Sequence, residues 1–136
     1  MNNQVFFRQK VLLVDDEEDI LLELSDMLES EGFRCYTAQS VSQALEHLDK
    51  HPEIGLVITD LRMPEESGLR LIQKLRTQAS RQNLPVIVTS GHAEMNDVIE
   101  VLRLQVLDFY PKPIYYERLL DTLDKLFPYP VLALQG

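Results

Sequence analysis

The chain is short of basic charge, of cysteine and of long apolar runs, and each shortage removes a class of function. Only 13 Lys and Arg stand against 22 Asp and Glu, for a net charge of −9. A phosphate backbone or an anionic lipid surface attracts the opposite sign, so direct nucleic-acid binding and membrane-surface docking are not expected. No apolar run approaches the ~20 residues that span a bilayer, and residues 1–10 lack the apolar core of a signal peptide. The single cysteine, Cys35, cannot form an internal disulfide and is expected as a small buried apolar residue. These points together lead to the expectation of a cytoplasmic protein. His47, His51 and His92 show no metal-ligand spacing and are expected at the surface. Repeats and low-complexity segments are absent.

What is present is alternation. The 136 residues, 45% hydrophobic and 26% charged, suit one globular domain with a real core. Short apolar runs are expected as strands over 10–14, 33–37, 54–59, 84–89 and 106–110. Between them lie stretches with helical spacing. Ile20, Leu21, Leu24, Met27 and Leu28 mark a helix over 18–30, with Gly32 as its stop. Ser40 caps a second helix bearing Val41, Ala44, Leu45 and Leu48, with Pro52 just beyond it. Leu69, Ile72 and Leu75 mark a third, opening near Ser67 and Gly68. Val98, Val101 and Leu102 are the expected inner face of a fourth, over 96–104. Leu119, Leu120, Leu123 and Leu126 are that of a fifth, over 115–127. Five βα units in a row mean an α/β fold: a doubly wound, five-stranded parallel sheet with right-handed crossovers. The usual strand order of such flavodoxin-like sheets is 2-1-3-4-5, which makes strands 1, 3, 4 and 5 successive neighbours.

The strand ends carry the chemistry. Asp15 and Asp16 follow Val11-Leu12-Leu13-Val14, and Asp60 follows Leu56-Val57-Ile58-Thr59. Thr89 closes Pro85-Val86-Ile87-Val88, and Lys112 follows the fifth run and precedes Pro113. Neighbouring strands lie ~4.8 Å apart, so these residues can meet in the crevice where such sheets bind ligands. Three carboxylates, a hydroxyl and an ammonium suit a magnesium-dependent phosphoryl acceptor.

At these positions the chain resembles the response-regulator receiver domains of bacterial two-component signalling, from about residue 10 to 127. Val14-Asp15-Asp16-Glu17 resembles the acidic pair after strand one, and Asp60-Leu61-Arg62-Met63-Pro64 with Gly68 resembles the phosphoacceptor loop. Thr89-Ser90-Gly91 resembles the hydroxyl switch position, and Lys112-Pro113 the lysine-proline pair whose peptide bond is usually cis. The resemblance implies that Asp60 is the phosphoacceptor. It implies that Asp16 and Asp60 hold Mg²⁺ directly, Asp15 through water, and the backbone carbonyl of Arg62 as a further ligand. It gives Lys112 the phosphoryl oxygens and makes Thr89, with Phe109, the switch. It implies a histidine kinase or phosphotransfer protein as partner and a helix 4–strand 5–helix 5 output face, a possible homodimer interface. The receiver is expected over 1–127, catalysing only its own phosphorylation and dephosphorylation. Residues 128–136, with Pro128 and Pro130, are expected as a linker or the start of an output segment not in this chain.

Each residue also has a plainer reading. Asp15 and Asp16 could cap the first helix; Asp60 could be a turn residue before Met63-Pro64. Thr89 could be a turn hydroxyl, Lys112 a solvated charge between Pro111 and Pro113, and Phe109 simply core. The run Glu17-Glu18-Asp19 suits a helix start better than a metal site. One departure stands out: Gln105-Val106 occupies the place where the family commonly has Gly-Ala. A non-glycine residue in a left-handed helix stop costs about 1 kcal/mol. Two other function classes fit parts of the pattern. A haloacid-dehalogenase-type phosphatase would want a second Asp two positions after its nucleophile, where Asp15 is followed by Glu17. A degenerate receiver used only for docking would have lost pocket residues that are present here.

Overall fold

The structure is a computed structural model and describes residues 7–91 and 95–128. The expected site of His92 and all but the first residue of the expected linker 128–136 lie outside the described residues. The elements are β1 (Lys10–Val14), α1 (Glu18–Ser30), β2 (Arg34–Ala38), α2 (Val41–Lys50), β3 (Leu56–Asp60), α3 (Gly68–Arg76), β4 (Val86–Ser90), α4 (Met95–Arg103), β5 (Asp108–Pro111) and α5 (Tyr116–Leu126). All strand pairs are parallel, in the order β2-β1-β3-β4-β5. The central strands β1, β3 and β4 are apolar and almost wholly buried, as strands covered on both faces must be.

Alternation along each strand divides the core in two. Leu12, Val14, Val57, Val86 and Val88 pack under α2, α3 and α4, with Val41, Leu48, Leu71, Ile72, Leu75 and Val101. Val11, Leu13, Leu56, Ile58 and Ile87 face α1 and α5, against Leu21, Leu24, Leu28, Leu119 and Leu123. Three helix boundaries follow the expected chemistry. The Ser40 hydroxyl accepts from the Gln43 N–H at the start of α2, and the Ser67 hydroxyl from the Arg70 N–H at the start of α3. Gly32, at φ 93°, turns the chain after α1.

The structure differs from the expectation in register more than in plan. Strands 2 to 5 each begin one or two residues, and end one residue, later than the apolar runs suggested; pairing carries on past the apolar run, with Asp60 opposite Thr89 and Ser90 opposite Pro111. Leu102 and Leu126, expected inward, are 66% and 40% exposed. The inner stripe of α4 runs instead through Val101 to Leu104 just beyond it. That of α5 runs through Leu119 and Leu123 to Phe127, whose ring meets Phe33 edge-on. Cys35 is half-buried, and burial beside Glu29 pushes its thiol up to about 12, so it stays neutral. His51 stacks on Tyr36 of the edge strand β2, and His47 stacks on His51. No helix among the described residues is long and apolar enough to cross a membrane.

Candidate functional site

The strand order puts the ends of β1 and β3 side by side, flanked by β4 and β5, and the five polar residues meet there. Asp15 and Asp60 are 2% and 5% exposed, and Asp16 is half-buried. One oxygen from each of the three carboxylates can be chosen so that all lie within 4.8 Å of one another. Lys112 follows β5 and reaches back over the sheet. Its Nζ donates to Asp15 Oδ2 at 2.7 Å and lies 3.3 Å from Asp60 Oδ2. The Lys112–Pro113 peptide bond is cis.

The remaining carboxylate oxygens are held by the backbone. Asp15 Oδ1 accepts from the Glu17 N–H at 2.9 Å, and Asp60 Oδ1 from the Leu61 N–H at 2.8 Å. Asp15 thereby holds the turn before α1, whose N-cap residue is Glu17 and which has no side-chain cap, while its other oxygen faces the pocket. Each aspartate keeps one oxygen anchored and points one at Lys112.

The charges are not balanced. Burial, and then the neighbouring charge of Asp15, push the Asp60 carboxyl above its ordinary value, although Lys112 pulls the other way. Burial alone would push the Lys112 ammonium down; the hydrogen bond and charge of Asp15, with help from Asp60, outweigh it and hold it up. One ammonium thus serves two buried carboxylates, with a third beside them. A set of hard oxygen donors with surplus negative charge fits a hard divalent cation such as Mg²⁺, and Asp15, Asp16 and Asp60 are the residues that could hold it.

Thr89, opposite Asp60 in the sheet, is buried, and among the described residues its hydroxyl makes only a long 3.5 Å bond to the Thr59 carbonyl. Phe109 is half-buried against the core under α4. Arg62 lies on the loop after β3, with its guanidinium turned to the first turn of α4, where Nη2 meets Asp97 Oδ2 at 2.6 Å.

Three residues support the site from beside it, and of these only Arg76 carried no signal in the sequence. Gly68 opens α3 directly against the end of β3; a Cβ there would lie 1.9 Å from the Asp60 carbonyl oxygen. Its N–H donates to the Leu61 carbonyl at 2.9 Å, which fastens the loop. Gln105 adopts φ 57°, the left-handed stop that its place between helix and strand suggested. Arg76, at the end of α3, donates to the Leu104 and Leu84 carbonyls at 2.8 Å and reaches that of Gln105 at 3.5 Å. The missing glycine is thus offset by an arginine from another helix, a partner that local sequence cannot reveal.

Comparison with known proteins places this geometry. The family model described as "Response regulator receiver domain" matches residues 11–124. The chain is 37% identical over 117 residues to the two-component response regulator PprB of Pseudomonas aeruginosa, covering 85% of this chain and 42% of that protein. It is 31% identical over 125 residues to the transcriptional regulatory protein FixJ of Rhizobium meliloti, covering 90% of this chain and 59% of that one. The chain thus spans less than two thirds of either regulator. Among solved structures, a response regulator receiver protein from Pseudomonas putida superimposes with a TM-score of 0.84 at 38% identity, over 87% of this chain and 97% of that one. The chemotaxis protein CheY4 of Vibrio cholerae does so with a TM-score of 0.80 at 26% identity, over 88% and 98%.

Proposed function

The chain belongs to the response regulator receiver domain family, whose members are signalling switches and not conventional enzymes, and on that premise we propose that Asp60 is its phosphoacceptor. The observation that carries the reading is the position of Asp60: a buried carboxylate at the end of β3, 3.3 Å from the Lys112 ammonium, beside two further carboxylates. The donor is a histidine kinase or a phosphotransfer protein. A carboxylate oxygen of Asp60 forms the new bond to phosphorus, and the bond from phosphorus to the donor breaks. Backbone contact from Leu61 orients the nucleophile. Lys112 neutralises phosphoryl oxygens as a point charge, and to do so it gives up part of its hold on Asp15. Asp16 and Asp60, with the Arg62 carbonyl, would hold Mg²⁺ directly and Asp15 would act through water; when bound, the ion supplies charge neutralisation for the phosphoryl oxygens. The same residues serve dephosphorylation by water.

The output follows from Thr89. Its loosely bonded hydroxyl can turn to a phosphoryl oxygen, and Phe109 on the adjoining strand can follow. Both border the α4–β5–α5 face, where Leu102, Leu107 and Tyr115 are exposed and a cavity of about 340 Å³ lies beside Phe109, Tyr115 and Arg118. This face would regulate an output domain or form a homodimer, residues 1–127 being the receiver and 128–136 the start of a connection. With a net charge of −9, the partners expected are proteins, not nucleic acid or membrane, in the cytoplasm.

Acetyl phosphate with Mg²⁺ should add one phosphoryl mass to the intact protein, and Asp60→Asn should remove the gain. Full labelling of that variant would overturn the assignment. Beryllofluoride should alter hydrogen exchange over residues 95–127, and Thr89→Ala should weaken that change while leaving Asp60 able to accept phosphate.

A further inference from the structure

Arg62 is placed where one side chain joins the site to the helix that must respond. Its backbone follows Asp60 by two residues, and its guanidinium crosses to Asp97 on α4, 2.6 Å away. The two side chains are 51% and 27% exposed. Exposed pairs of this kind are weak and easily redistributed. Few of the α4 side chains are deeply buried. Among its described side chains only Val101 is fully buried, and Ile99 and Leu102 face solvent. The Arg62–Asp97 pair is therefore one of the contacts that tie the first turn of α4 to the loop after β3.

The charge on the other side of Arg62 changes when the site is loaded. A phosphoryl group brings close to two negative charges and three strong acceptor oxygens. Lys112 already serves Asp15 and Asp60. The anion at Asp60 then competes with Asp97 for the guanidinium of Arg62, whose backbone lies two residues from Asp60.

We propose that the Arg62–Asp97 ion pair is a latch between the loop after β3 and α4, and that the phosphoryl group on Asp60 competes with Asp97 for Arg62. This inference rests on Asp60 being the phosphoacceptor. Arg62 is a positioning residue in it: drawn toward the phosphoryl oxygens, it releases the first turn of α4. The competition is reciprocal by linkage. Whatever factor the anion takes from the Arg62–Asp97 pair, removal of Asp97 returns to the binding of the anion. The latch adds to the Thr89 route a second path from the site, which reaches the other end of the same face.

The test is titration of the full chain with beryllofluoride in the presence of Mg²⁺, read by calorimetry and by amide exchange. Asp97→Asn should tighten binding by about two- to fivefold, the range of an exposed pair. Arg62→Gln should weaken it by a similar factor, and Arg62→Lys should restore part of the loss. The deciding result is the double variant: in the Arg62→Gln background, Asp97→Asn should have no effect. Amides of residues 96–98 should exchange faster in free Asp97→Asn and change less on adding beryllofluoride. Unchanged affinity of Asp97→Asn, or the same gain in the Arg62→Gln background, would overturn the latch while leaving Asp60 as the site. Absence of beryllofluoride binding by the unmodified chain would overturn both.

Discussion

Replacing Gly68 by alanine tests whether the end of β3 is held by the close approach of α3. The backbone of Gly68 is ordinary helix, so the obstacle is space and not conformation. An alanine Cβ would lie 1.9 Å from the Asp60 carbonyl oxygen and 3.0 Å from both the Asp60 carbonyl carbon and Thr59 Oγ1. Ordinary contact needs roughly 3.4 Å, so α3 and the strand end must part by about 1.5 Å. Neither neighbour is the free end of a flexible side chain. Overpacking of this kind costs about 1–3 kcal/mol, and weakening the Gly68 N–H to Leu61 bond adds about 1 kcal/mol. Helix propensity returns at most about 1 kcal/mol. A net loss of about 2 kcal/mol should lower Tm by about 8 °C in a domain of this size. The functional loss should be larger, because a misplacement of about 1 Å at a reacting group costs on the order of 100-fold in rate. Urea denaturation and the time course of acetyl phosphate labelling measure the two effects. Gly91→Ala is the control, since among the described residues its Cβ would meet only Lys112 side-chain carbons at 3.8 and 3.9 Å. It should leave stability within about 1 kcal/mol. A Gly68→Ala chain that melts and labels like the unmodified one would refute the packing argument.

Three further outcomes are expected. Asp60→Asn should stabilise the metal-free protein at pH 7, because burial and Asp15 raise the Asp60 carboxyl, so its ionisation opposes folding. That gain should shrink as pH falls through the raised Asp60 value toward the ordinary 3.8 and be gone below it, where folded and unfolded chains both carry the proton; a gain independent of pH in denaturation experiments would refute the cause. Millimolar Mg²⁺ should raise the melting temperature by mass action, and Asp16→Asn should reduce the rise; no shift at all would count against a cation at Asp15, Asp16 and Asp60. Gln105→Gly should stabilise by about 0.5–1 kcal/mol, since it relieves a left-handed residue and leaves the backbone carbonyl that Arg76 reaches in place.

How much was legible beforehand depends on the range of the interaction. The five strands, the five helices and their order were readable, because strand burial and helix amphipathicity are written in periods of a few residues. Lys10–Val14, Glu18–Ser30, the Ser40 cap and the opening of α3 at Ser67-Gly68 came out as the local patterns indicated. The convergence of Asp15, Asp16, Asp60, Thr89 and Lys112 was readable too, since each closes an apolar run and a parallel sheet aligns such ends. Their roles in phosphoryl transfer remain the proposal made above. What stayed hidden was decided by packing between distant segments. Leu102 and Leu126 satisfy helical spacing, yet the cover over α4 and α5 is completed by Leu104 and Phe127. Arg76 gives no local hint that it will hold the carbonyls of Leu104 and Gln105. Arg62 and Asp97 are 35 residues apart and meet only because α4 is carried over the sheet to the loop after β3. Period and burial are properties of short stretches, so sequence alone determined the layers, the strand ends and the charge gathered there. Which oxygen faces Lys112, how closely Gly68 presses on Asp60 and where Arg62 points depend on angstrom-scale packing between elements, and only the tertiary structure decided them.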